Sequence, residues 1–202
     1  MVKSSRNLLI LSVLLLPALL LSGCAGSVKH MRVVPPDQAV SAPEPGKSLV
    51  VFMRPSSMAF AIQSSVFEVE ADRPRLAGIV AAKKKIAYQL EPGEHLFMVV
   101  SESADFMSAD LQPDKTYYAL VTPRMGVWKA RFSLKPVHAE ELHSPRFSEW
   151  LAGCVWVEKT PESDQWAEAN MPSIQSKQQG SYEKWMQRPE ADRPRLMPRD
   201  GR

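Results

Sequence analysis

The chain has 202 residues, 45% hydrophobic and 23% charged, a balance that excludes a wholly disordered chain, a coiled-coil rod and a polytopic membrane protein. Its formal net charge is +3, but Lys3 and Arg6 lie in an N-terminal stretch without acids. Setting residues 1–23 aside leaves 23 basic against 22 acidic residues, a net of +1, so the sequence pI of about 8.9 gives no reason to expect a nucleic-acid partner.

Met1 to Gly23 has the three parts of a secretory leader: Lys3 and Arg6, an apolar run from Leu8 to Leu21, then the small residues Ser22 and Gly23. The alternative is an uncleaved anchor. The run is only 14 residues long, short of the roughly 20 needed to cross hydrocarbon, and Pro17 weakens it as a spanning helix. Leu21-Ser22-Gly23-Cys24 resembles the bacterial lipobox. That resemblance implies a diacylglycerylated Cys24, cleavage before it and acylation of the new amine, a stable attachment because each buried CH₂ contributes about 0.8 kcal/mol. Ala25, where an inner-membrane lipoprotein would carry Asp, resembles the outer-membrane sorting pattern. The second cysteine, Cys154, is then left without a partner in the chain, in an apolar stretch where a buried, inert thiol is expected.

Residues 24–47 carry Pro35, Pro36, Pro43 and Pro45 among small residues and read as a tether. The 23 residues from Ala25 to Lys47, at about 3.3 Å each, would reach roughly 75 Å. From Ser48 the pattern is strand-like. Ser48–Arg54 stops at Pro55; Ile62–Glu70, Arg75–Ala81 and Lys85–Leu90 follow. Pro92-Gly93 suits a turn with positive φ at the glycine. His95–Ser101, Phe106–Leu111, Thr116–Thr122 and Val127–Leu134 complete the set. Short strands at regular spacing predict a mainly β fold, a small antiparallel β-sandwich of seven or eight strands.

Thr160-Pro161 then reads as an N-cap followed by proline at N1. One short helix is expected over Glu162–Asn170. A second is expected from Pro172 to about Gln187, with Ile174, Tyr182, Trp185 and Met186 on one side. From Arg188 the chain is Pro- and Arg-rich and is expected to fray. The layout is a leader (1–23), a lipidated tether (24–47), the sandwich (48–138), a C-terminal extension with helices (139–187) and a Pro/Arg-rich tail (188–202). One seven-residue sequence, Glu70-Ala-Asp-Arg-Pro-Arg-Leu76, recurs as Glu190–Leu196 without matching flanks. It reads as coincidence or loop re-use, not as a duplicated domain.

Four stretches resemble an uncharacterised family of bacterial lipoproteins related to PEGA-like β-sandwich domains: Leu90–Val100 with its Pro-Gly-x-His turn, Glu102–Met107, Lys115-Thr-Tyr-Tyr118 and Arg124–Phe132. The resemblance spans roughly 48–138. It implies a lipoprotein with a small sandwich, tilts towards binding, and implies no activity.

Little in the sequence points to chemistry. No P-loop, dinucleotide fingerprint or Gly-x-Ser-x-Gly elbow is present, and no cofactor is expected. His138, Glu141 and His143 invite a metal reading. However, residues five apart diverge by about 140° on a helix and face opposite sides of a strand, so a solvated turn is the simpler account. His95, after the turn, reads as packing or a backbone hydrogen bond. Glu102, Asp105 and Asp110 could supply a carboxylate pair, although acids on loops are common. Lys83-Lys84-Lys85 reads as a solvated hairpin turn, or more sharply as a contact for anionic head groups, with Arg124, Lys129 and Arg131 adding a basic strand face. The tryptophans Trp128, Trp150, Trp156, Trp166 and Trp185 read as core and helix-docking residues.

The leading expectation is a non-enzymatic envelope lipoprotein, held to the outer membrane at Cys24 and presenting its sandwich to an envelope protein, peptidoglycan or glycan. One alternative is a subunit of a larger envelope assembly docking through residues 188–202. The other is an envelope hydrolase or metal-binding protein using His138, Glu141 and His143.

Overall fold

The structure is a computed structural model and describes residues 28–71, 73–124 and 130–202. The leader, Cys24, Ala25, Trp128 and Lys129 lie outside the described residues.

The chain is mainly β. Among the described residues eleven strands run in order: β1 Met31–Val33, β2 Ser48–Arg54, β3 Ser64–Glu68, β4 Arg75–Val80, β5 Lys84–Leu90, β6 Gly93–Val100, β7 Ala104–Leu111, β8 Thr116–Arg124, β9 Arg131–Pro136, β10 Val155–Lys159 and β11 Arg195–Leu196. Two α-helices, α1 (Pro145–Ala152) and α2 (Pro161–Met186), flank β10. The strands form a six-stranded sheet, β1-β10-β5-β2-β8-β9, and a five-stranded sheet, β11-β7-β6-β3-β4. Six of the nine pairings are antiparallel. β2–β8, β5–β10 and β7–β11 are parallel, so both sheets are mixed.

The continuous apolar run of β2 is explained by its place. It is central, paired to β5 on one side and β8 on the other, and all seven residues are buried. Val50 and Phe52 face the core between the sheets, where Phe52 meets the Phe97 ring edge-on at 5.1 Å. Leu49, Val51 and Met53 face a second core beneath α1, together with Tyr118 and Phe147. Helix α1 opens on Ser144, whose hydroxyl accepts from the Phe147 amide at 3.1 Å, with Pro145 at N1. Gly93 has φ +129° and opens β6 from the turn. Gly78 allows close approach: a Cβ there would meet Ile86 Cδ1 at 2.9 Å.

Three expectations need correction. The stretch read as a tether joins the fold over residues 28–34: Val28 and Val34 are buried, and β1 pairs with β10. The break expected before Pro172 is absent, and α2 is one helix of 26 residues. Pro172 sits on its exposed side, where the carbonyl left without a donor can meet water. The neighbouring Met171 and Ile174 hold the helix to the sheet. Of the four apolar positions expected on one face, Ile174 and Trp185 are buried, whereas Tyr182 and Met186 remain exposed. Finally, the tail does not fray. β11 pairs with β7, Leu196 is fully buried, and Arg202 exchanges two backbone hydrogen bonds with Thr116.

Candidate functional site

The most concentrated buried polar group surrounds Glu68 at the end of β3. Its carboxylate accepts from Tyr88 Oη at 2.6 Å, Arg75 Nη2 at 2.6 Å and His95 Nδ1 at 2.7 Å. Burial by itself would push this carboxyl up, but those hydrogen bonds and the Arg75 charge hold it down at about 2. The other His95 nitrogen, Nε2, donates to the Glu91 carbonyl at 2.9 Å. Both nitrogens therefore face acceptors, which favours the imidazolium. The Glu68 hydrogen bond raises its pKa against the opposing effect of burial. Burial first, then Glu68, pushes the Tyr88 hydroxyl up. A cleft of about 580 Å³ lies beside this cluster, walled by Trp185, Tyr182 and Arg195. Every polar atom of Glu68 and His95 already has a partner, so the arrangement braces the sheet and offers no free base.

The residues marked as candidates from sequence are scattered. His138 Nδ1 donates to the buried Asp200 at 3.1 Å, Glu141 Oε2 accepts from the His138 amide at 3.3 Å, and His143 is exposed. Among the described residues no three His, Cys, Asp or Glu side chains are grouped to hold a metal ion. Asp105 is buried and paired with Arg188 at 3.0 Å and Arg124 at 3.3 Å. Asp110 lies near Arg195 at the other end of β7, and Glu102 lines a groove described below. Only one member of the lysine run is solvated. Lys84 and Lys85 are buried, and the Lys85 ammonium bonds the Leu151 carbonyl and lies 4.6 Å over the Trp156 ring. Cys154 is buried, and that burial pushes its thiol up to about 11, outside the reactive range.

A different site emerges along α2. Two clefts, of about 450 and 370 Å³, share Glu102 and Lys177 and form one groove between the helix and the end of the sandwich where β6 turns into β7. The helix contributes Trp166, Asn170, Ser173, Lys177, Ser181 and Lys184, a stripe at helical spacing. From Trp166 to Lys184 the axial rise is about 27 Å. The half near the start of the helix is the more apolar, lined by Trp166, Ile174, Ile62 and Val100 beside Gln63, Asn170 and Ser173. The other half is basic: Arg124, Arg131, Lys177, Lys184 and Arg188 surround Glu102 and Asp105.

The apolar end is bordered by the β2–β3 loop, and this loop is fixed by a residue that sequence reasoning passed over. Arg54 is fully buried. Its Nη1 donates to the Ile62 carbonyl at 2.6 Å and its Nη2 to those of Met58 (2.6 Å) and Ala59 (2.7 Å). The guanidinium lies 4.6 Å from the Phe132 ring centroid, and burial lowers its pKa. Ala59 has φ +54°, a left-handed conformation that these contacts hold in place. The loop presents Phe60 (75% exposed), Met58 (56%) and Ile62 (37%) to solvent. An arginine ending an otherwise apolar strand, directly before Pro55, was the available signal.

No protein-family model matches the chain, and no curated protein matches it. Among the described residues no helix is long and apolar enough to cross a membrane.

Proposed function

We propose that the chain is a non-enzymatic lipoprotein of the bacterial outer membrane, anchored through lipids on Cys24, whose sandwich offers the α2 groove to an anionic partner. The lipobox residues and the resemblance to PEGA-like lipoproteins support the anchor and the class. The observation that carries the binding reading is the groove: five cations against two acids in its basic half, continuous with an apolar half. Such a surface suits an elongated ligand with phosphate or carboxylate groups and some apolar surface. A hydrolase reading of His138, Glu141 and His143 has less support, because His138 and Glu141 are engaged in local hydrogen bonds and the buried Asp200 contact. Docking through residues 188–202 has less support too, since Leu196 and Asp200 are buried within the fold.

A photoreactive residue in place of Ser173, in the full chain expressed in bacterial envelopes, tests this. Mass spectrometry should find an anionic lipid, glycan or acidic protein attached there, and Arg131→Gln with Lys184→Gln should abolish the adduct. The same species captured with equal yield after both neutralisations would refute the assignment.

A further inference from the structure

We propose that the groove face sits on the lipid bilayer itself, with Met58, Phe60 and Ile62 inserted among the acyl chains beside the anchored Cys24. This rests on the reading of Cys24 as the lipidated residue, and it names the groove's anionic partner as the phospholipid surface.

The length of chain between anchor and fold carries the argument first. Val28 is buried, and its carbonyl accepts from the Met31 amide at 3.1 Å. Only residues 25–27 separate it from Cys24. Four Cα–Cα steps of 3.8 Å bound the reach at about 15 Å, whatever those residues do. A domain so tethered cannot stand off from the bilayer. It must present to it the face from which the chain emerges.

That face is the apolar end of the groove. His30 stacks on Trp166 with ring centroids 6.3 Å apart, and its carbonyl accepts from Thr160 Oγ1 at the start of α2. Trp166 in turn walls the groove opposite Ile62. His30, two residues after Val28, thus lies against Trp166, a wall of the cleft that Ile62 of the exposed loop also lines.

The loop is built to keep its apolar side chains outward. Free apolar side chains would fold back onto the nearby core. Here the buried Arg54 ties three loop carbonyls inward and leaves Met58, Phe60 and Ile62 projecting. The surrounding charge fits a phosphate layer: Lys29 is exposed next to Val28, and Lys177, Lys184 and Arg131 follow along the groove. An apolar tip flanked by cations is the pattern of interfacial membrane binding. The opposite end of the sandwich, at Gln112 in the β7–β8 turn, points away from this face, because β7 runs from Ala104 at the groove to Leu111 at the far end.

The test uses the full chain in bacterial cells with photoreactive benzoylphenylalanine in place of Phe60, and a second version with it in place of Gln112. Mass spectrometry reads the adduct, and the mass of the N-terminal peptide independently reports acylation of Cys24. Phospholipid adducts at position 60 and none at 112, on an acylated protein, are expected. An acylated protein whose position 60 attaches to a protein, attaches to glycan or gives no adduct overturns the insertion while leaving the anchor intact. Equal lipid adducts at both positions overturn the orientation. An unmodified Cys24 overturns the anchor and this proposal together.

Discussion

Two buried charges show how individual residues set this fold's behaviour. Glu68 is satisfied by charged and neutral donors, and its carboxyl is held at about 2 against an ordinary 4.5. A depressed carboxylate adds stability above its unfolded value and loses it as pH falls from about 4.5 towards 2, a difference of about 3 kcal/mol. His95 runs the other way. Its raised pKa adds stability below about 6.5, and that part disappears as pH rises through its folded value. Stability should therefore be highest between about pH 4.5 and 6.5. Urea midpoints across pH should show both limbs in the parent protein. Glu68→Gln should be less stable by about 2–4 kcal/mol at neutral pH and should lack the acid limb. Among the described residues Arg54 has no carboxylate partner, only carbonyls and a ring face. Arg54→Met should cost about 1–3 kcal/mol, because the inward Met58 and Ile62 carbonyls lose their donor and the Ala59 carbonyl loses one of two. Amide exchange should accelerate first at Ile62, whose N–H bonds the Ala59 carbonyl within the same loop; uniform acceleration across the sheets would contradict the clamp.

At the scale of elements, eight strands were legible from alternation and turn signals, and β2 was readable to the residue. The three missed strands are short, at 3, 5 and 2 residues, and two of them rest on parallel pairing to distant strands. No local pattern announces such pairing, because its energy comes from partners far away in sequence. The repeated heptapeptide acquires a meaning here. Arg75-Leu76 open β4 and Arg195-Leu196 form β11, the two opposite edges of one sheet. In both, the leucine enters the core and the arginine meets acids, Glu68 and Glu70 for one and Glu94 for the other. The same local solution closes both edges. Leu196→Ala should accordingly lower stability by about 2–5 kcal/mol in denaturant unfolding, as a core residue does and a frayed tail does not.

Taken as a whole, the segments flanking the eight central strands join the sandwich: β1 and β10 extend one sheet, β11 extends the other and α2 covers it. The exposed loop lies outside that packing. Phe60→Ser should therefore leave the unfolding midpoint within about 0.5 kcal/mol of the parent, and a larger loss would show the side chain serving the fold instead of a partner. Within one chain, local features were decided by the sequence alone. Alternation set most strands, Pro92-Gly93 set a turn, and Thr160-Pro161 set the start of α2, because each depends on neighbours a few residues away. The groove could be decided only by tertiary structure. Its walls come from residues 62–65, residues 100–105, Arg124, residues 130–131 and the stretch from 166 to 188, and nothing in their spacing relates them. The same holds for the apparent tether. Proline content predicts extension, but the burial of Val28 and the pairing of β1 with β10 are long-range gains, and these outweigh local preference.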